Sequence, residues 1–359
     1  MPKSEKGVSM RRRTTRYGSW AGAGTLLIGL WLVLAGLDAA SAETLSEPPQ
    51  DLAECAKIED DAERLKCYDH LAGREPKTIE PPEETAEKAP EKREEASYFS
   101  RLWDLDEEGL RRKFAIKSHR SNYFLPYTYN SSPNVEVLRE DDPDKTVKKA
   151  EAVFQLSLKA KLWKDVLGQK MDLWFGYTQR SFWQLYNSED SAYFRETDYE
   201  PELLINFRTD FRILGLTSRF INLGFNHQSN GQSNPLSRSW NRVVANFGLE
   251  RGRFSLLLKT WYRIPESAKN DDNPNIEKFL GYGELWAYYF WKKHRFGLML
   301  RNNFSFHTNR GALQAEWSFP IYEWVNGYVQ YFVGYGESLL DYNRAVNRIG
   351  IGFIIADWN

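Results

Sequence analysis

From about Tyr98 to Asn359 the chain alternates between apolar and polar side chains. Phe154, Leu156, Leu158, Ala160 and Leu162 point away from Gln155, Ser157, Lys159 and Lys161. Leu173, Phe175 and Tyr177 repeat the pattern, as do Phe254, Leu256, Leu258 and Thr260; Ile349, Ile351, Phe353 and Ile355 stand opposite Gly350 and Gly352. Residues two apart on a strand share a face, so these segments are two-faced strands. Amphipathic strands of ~10 residues repeated over about 260 residues leave room for roughly twelve strands with their loops. The fold class this predicts is all-β, an antiparallel transmembrane β-barrel of about twelve strands. A soluble all-β domain with a large core has the same alternation. A short helix is expected over Glu107–Phe114, at the barrel entrance.

Composition favours the barrel. Charged residues make up 27% and aromatic residues 15% of the chain, and mean hydropathy is negative. Outside the N-terminus no apolar run reaches the ~18 residues of a spanning helix. In a membrane barrel only alternate residues meet lipid, and the 13 Trp and 19 Tyr suit aromatic girdles at the two interfaces. A formal net charge of −1 gives no footprint for a nucleic-acid partner.

The N-terminus sets the compartment. Arg11, Arg12, Arg13 and Arg16 precede an apolar stretch from about Leu26 to Leu37, and Ala40-Ser41-Ala42 follows. This reads as a signal peptide over residues 1–42, although an uncleaved anchor has the same pattern. Export of a barrel points to a Gram-negative outer membrane.

Residues 43–72 form an acidic segment with both cysteines, Cys55 and Cys67, and resemble a short cysteine-bearing helical motif of exported bacterial proteins. An even count in an oxidising compartment favours a disulfide. One continuous helix would hold the cysteines about 18 Å apart, so the chain must fold back at Asp60-Asp61. Metal binding by Cys55, Cys67 and His70 is the weaker reading. The segment is expected to be a small helical periplasmic appendage. Residues 73–97, rich in Pro, Glu and Lys, lack the apolar surface to fold and read as a linker to the barrel at 98–359.

Arg251-Gly252 is a tight turn, whereas the connections at 230–240 and about 265–277 are long and rich in Asn, Asp, Pro and Ser. Short turns are periplasmic and long loops extracellular in such barrels. The run Asn226-His227-Gln228-Ser229-Asn230-Gly231 borders a long loop, so any site there lies on the outer-leaflet side. Its parity is unusual. His227 and Ser229 share a face with Ile221, Leu223 and Phe225, and Asn241 shares one with Val243, Ala245, Phe247 and Leu249. Polar groups on a lipid-facing wall are costly without a function. A serine needs a base to take its proton, and a base needs an orienter. Ser229 as nucleophile, His227 as base and Asn241 as orienter meet those roles, and the N–H of Gly231 can donate to an oxyanion. A His-x-Ser pair alone is common; the apolar face around this one gives it weight.

The blocks His227-Gln228-Ser229-Asn230-Gly231 and Pro235-Leu236-Ser237-Arg238-Ser239-Trp240-Asn241-Arg242 resemble the signature of the outer membrane phospholipase A family. Further similar blocks are Tyr177-Thr178-Gln179, Phe194-Arg195-Glu196-Thr197, Asp271-Asp272-Asn273-Pro274 and Gly334-Tyr335-Gly336-Glu337-Ser338. They run in order from about 119 to the end. The resemblance implies a twelve-stranded barrel that hydrolyses phospholipid acyl esters with calcium, as a homodimer. It implies Ca2+ held by the Ser237 side chain, the Gln232 carbonyl and Ser191 of the partner subunit, with waters, and it places Gln179 at the dimer contact. Two positions depart from the pattern. Gln232 replaces a basic residue, which a backbone ligand tolerates. Asn234 stands where relatives can carry an aspartate, a departure that puts a second, monomer-type calcium site involving Asp272 in doubt. The competing readings are a passive porin-like or structural barrel with a degenerate triad, and a barrel that merely anchors the 43–97 appendage.

Overall fold

Strands of this kind leave unpaired edges, and within a membrane only closure removes the last one. The structure, a computed structural model that describes residues 51–74 and 97–355, closes the sheet. Its strands are β1 (Ala115–Ser118), β2 (Tyr123–Asn130), β3 (Ala150–Trp163), β4 (Met171–Trp183), β5 (Phe194–Arg208), β6 (Arg212–Ile213), β7 (Leu216–Ser229) and β8 (Ser239–Arg251). There follow β9 (Phe254–Arg263), β10 (Gly283–Trp291), β11 (His294–Asn302), β12 (Gly311–Pro320), β13 (Val325–Tyr335) and β14 (Ala345–Ile355). Strands β2 to β5 and β7 to β14 form a closed antiparallel 12-strand barrel, in which β14 returns to β2. The short β1 continues the pairing along β3, and β6 pairs with β7 at the turn. The strand number matches the expectation from alternation.

One end of the barrel carries tight turns, such as Gly252 between β8 and β9, whose φ of +55° suits the residue. The other carries the long connections, including 230–238 and the β9–β10 loop with α4 (Glu277–Leu280). Outward residues are apolar and exposed, for example Leu156, Leu158, Ile349 and Ile351. Inward residues are polar and buried. Arg120 donates to both carboxylate oxygens of Glu200 at 2.7 and 2.8 Å, and Arg195 bridges Glu151 at 3.0 Å and Asp341 at 2.9 Å. The interior carries an ionic network that keeps its charges from lipid and sets many of them beside an opposite charge.

The segment before β1 enters the short-turn end. Helix α3 (Tyr98–Leu102), capped by Ser97, packs Phe99 edge-on to Phe220 at 5.3 Å, and Trp103 packs edge-on to Trp174 at 5.6 Å. The Phe99 N–H donates to Glu250 at 2.7 Å. Asp104, fully buried, accepts from Lys161 at 2.6 Å and faces Arg112 at 3.0 Å. Lys159 Nζ lies 4.0 Å over the Trp103 ring. The expected helix over Glu107–Phe114 is reduced to a 3-10 turn, Gly109–Arg111. Asp104 turns the chain at φ +60°, and Lys161 Nζ takes the Gly109 carbonyl at 3.2 Å. Interior packing overrides the local helical preference. It also draws Trp103, Trp174, Trp240 and Trp261 inside, so only part of the tryptophan set, including Trp163, Trp291 and Trp324, is free for girdles.

Residues 51–74 form a separate unit. Asp51 caps α1 (Leu52–Cys55) and Asp60 caps α2 (Asp61–Leu71), each accepting two backbone N–H bonds. The chain folds back before Asp60, and Cys55 and Cys67, with Cα atoms 5.6 Å apart, are joined by a disulfide. The expected signal peptide at 1–42 and nearly all of the linker at 73–97 lie outside the described residues.

Candidate active site

Antiparallel pairing of β7 with β8 sets His227 directly opposite Asn241 and Ser229 opposite Ser239. His227 Nδ1 lies 2.8 Å from Asn241 Oδ1. The amide is oriented by its other end, since Asn241 Nδ2 donates to Glu266 Oε1 at 3.0 Å. An oxygen facing the imidazole makes Nδ1 the protonated nitrogen and leaves the Nε2 lone pair to act as a base. Ser229, two residues on, shares the outward face with His227. A shallow groove on the outer wall runs beside them, lined by Phe175, Leu203, Phe225 and Ile264 along with His227 and Asn241. Phe225 is 61% exposed.

The inward face of the same hairpin is locked. Arg242 donates to Asn226 Oδ1 at 2.9 Å and to Glu200 at 3.0 Å, and its guanidinium stacks 4.0 Å from the Trp240 ring. Trp240 Nε1 donates to Gln228 Oε1 at 2.9 Å. Residues 226, 228, 240 and 242, interleaved with the outward polar groups, therefore hold the backbone that carries them.

The loop after β7 turns on Asn230, which is buried. Its side chain accepts from the N–H groups of Gln232 at 3.3 Å and Arg238 at 3.0 Å and donates to the Leu236 carbonyl at 2.8 Å. Gly231 adopts φ +66°, and a Cβ there would stand 3.1 Å from the Tyr199 ring. The positive φ favours glycine, and a Cβ would also press on the Tyr199 ring. The β9–β10 loop closes over from the far side. Asn273 Oδ1 accepts from Ser239 N–H at 3.1 Å, and Ser237 Oγ donates to Asp272 Oδ2 at 2.6 Å. Arg263 anchors this loop through Asp271 at 2.6 Å and Glu277 at 3.3 Å.

Ser237 and Asp272 offer hard oxygen donors, the kind a calcium ion takes, and Gln232 lies on the same 230–238 loop as Ser237. Among the described residues no three His, Cys, Asp or Glu side chains converge on a metal position. A cation here would depend on hydroxyl, carbonyl, a single carboxylate and water. Ser191 stands on a different loop, between β4 and β5, at φ +58°. Its neighbour Asp190 is held below the usual carboxylate range by the Thr146 N–H at 3.2 Å, with Lys145 at 3.1 Å assisting. Gln179 faces outward on β4, where its side chain accepts from Tyr177 and donates to Ser181, both at 3.3 Å.

Sequence reading did not find Glu266, and it left Asp272 aside. Neither lies on a strand, so no period marks them. The one available signal was the density of Asn and Asp in the long connection beside the His-x-Ser strand.

A family profile described as Phospholipase A1 matches residues 99–355. Phospholipase A1 of Klebsiella pneumoniae is 41% identical over 244 residues, covering 68% of this chain and 83% of that protein. The solved outer membrane phospholipase A of Escherichia coli superposes with a TM-score of 0.63 at 40% identity, over 67% of this chain and 94% of that one. An outer membrane phospholipase dimer of Salmonella typhi with bound calcium gives 0.64 at 39% identity, over 68% and 93%. The chain is an outer-membrane β-barrel that belongs to the phospholipase A1 family.

Proposed function

We propose that the protein is a calcium-dependent outer-membrane phospholipase that cleaves acyl esters at Ser229, with its site at the outer-leaflet side and active as a homodimer. The observation that carries the reading is the outward His227–Asn241 bond with Ser229 beside it, on a wall that otherwise faces lipid. The groove along Phe175, Leu203 and Phe225 suits an acyl chain drawn from the membrane.

In this mechanism His227 Nε2 takes the Ser229 proton as Oγ attacks the ester carbonyl. The tetrahedral oxyanion is held by the Gly231 N–H. His227 returns the proton to the departing glycerol oxygen, and lysophospholipid leaves. Water then attacks the acyl-serine with His227 again as base, releasing a fatty acid and restoring Ser229. Asn241 keeps the imidazole turned toward Ser229 throughout. Ser237, the Gln232 carbonyl and Ser191 of the partner subunit would hold calcium, which when bound supplies positive charge toward the oxyanion and its water. In this reading Ser191 of the partner subunit and Gln179 belong to the dimer, and likeness to a calcium-bound dimer supports a homodimer that takes calcium.

Labelling by a long-chain alkyl fluorophosphonate tests the nucleophile. Mass spectrometry should find the phosphonyl adduct on Ser229. An adduct on Ser181 or Ser239 instead would contradict the assignment.

A further inference from the structure

We infer that Glu266 is a positioning residue for this site, forming a fourth link in a chain Ser229–His227–Asn241–Glu266; the inference rests on the proposed function. A side-chain amide is nearly symmetric in shape, and rotating it by half a turn exchanges its donor and acceptor ends. In the unproductive orientation the NH2 group would face His227 Nδ1. That nitrogen would then have to accept, the proton would move to Nε2, and the imidazole could no longer take a proton from Ser229.

Glu266 selects the productive orientation. Its Oε1 accepts from Asn241 Nδ2 at 3.0 Å, while Asn241 Oδ1 meets His227 Nδ1 at 2.8 Å. A carboxylate is an acceptor only, so the reversed amide would set oxygen against oxygen. The bond also polarises the amide and makes Oδ1 a stronger acceptor for the imidazole N–H, since linked hydrogen bonds reinforce one another. The charge absent from the amide in a Ser-His-Asn set is thereby supplied one residue further out.

The backbone places Glu266 for this role. Ile264 N–H donates to the Asn241 carbonyl at 2.8 Å, which extends the β8–β9 pairing past Arg263. Pro265 fixes its own φ between that anchor and Glu266. The second carboxylate oxygen, Oε2, is buried without a hydrogen bond and faces Arg263 at 3.9 Å. Arg263 is itself committed to Asp271 at 2.6 Å and Glu277 at 3.3 Å. Asn241 is thus the hydrogen-bonding partner that defines where the Glu266 carboxylate points.

The test compares kcat and KM for fatty-acid release from phospholipid–detergent micelles by the refolded protein, Glu266→Ala, Glu266→Gln, Asn241→Ala and the double variant. Glu266→Ala should lower kcat about tenfold, which is about 1.4 kcal/mol of barrier, with KM unchanged. Glu266→Gln, nearly isosteric and with a carbonyl that still accepts from Asn241, should recover part of that loss. In the Asn241→Ala background, Glu266→Ala should change kcat by less than about twofold, because its route to His227 is gone. An equal loss in both backgrounds, or a raised KM with kcat intact, would assign Glu266 to holding the loop and overturn the inference. Ser229-dependent release by the parent is measured first. Its absence overturns the proposed function and this inference together; release that Glu266→Ala leaves unchanged overturns this inference alone.

Discussion

His227 and Asn241 meet because they are direct partners in the β7–β8 ladder, which brings Nδ1 and Oδ1 to 2.8 Å. The orienter is therefore held by the sheet and needs no loop to deliver it. An amide in this position also keeps an ionised group off the imidazole on a wall that faces lipid, where charge is expensive. Asn241→Ala is expected to lower kcat about ten- to hundredfold and leave residual turnover, because orientation is lost while base and nucleophile remain. Steady-state hydrolysis of a dispersed phospholipid measures this.

Ser229→Ala removes only an outward hydroxyl, so the barrel should insert and resist heat in detergent as the parent does. Turnover should fall at least about a thousandfold. Gel mobility of heated and unheated samples separates loss of folding from loss of chemistry.

Gly231→Ala is a different kind of defect. The backbone N–H survives, but φ +66° is unfavourable for alanine and the new Cβ meets the Tyr199 ring at 3.1 Å. The loop must shift, and with it the proposed oxyanion donor. A drop of about a hundredfold in kcat, with Ser229 still present, is expected.

The Ser237–Asp272 bond at 2.6 Å bears on the proposed metal dependence. Asp272 is the carboxylate that touches the Ser237 hydroxyl, so Asp272→Ala should raise the calcium concentration for half-maximal activity about tenfold. A calcium titration of hydrolysis reads this directly, and an unchanged midpoint would remove Asp272 from the site.

Asp104→Ala addresses the plug at the short-turn end. Lys161, fully buried, would lose its 2.6 Å partner, and Lys117 and Arg112 would lose a nearby carboxylate. Breaking a buried pair from one side costs about 3–5 kcal/mol. Denaturant unfolding should show a barrel weakened by that order, with the site on the opposite end still active in the folded fraction.

What could be seen in advance follows from period. Two-residue alternation revealed the strands and the shared outward face of His227 and Ser229, and Arg251-Gly252 marked a tight turn, because each depends on neighbours along one chain segment. Asn241 was within reach because a single hairpin connects it to His227. Glu266 was not, since a loop without period brings it to Asn241 across 25 residues. The helix expected at Glu107–Phe114 failed for a related reason. Its local preference is helical, but Lys161, from a strand 52 residues on, claims the Gly109 carbonyl, and Phe99 and Trp103 fill the barrel with α3 instead.

The most direct test is fatty-acid release from phospholipid–detergent micelles by refolded protein with calcium, with a chelator in its place, and with Ser229→Ala. The account predicts release only when calcium and Ser229 are both present. Release that survives chelation or the loss of Ser229, or no release from folded dimeric protein under any condition, would contradict it.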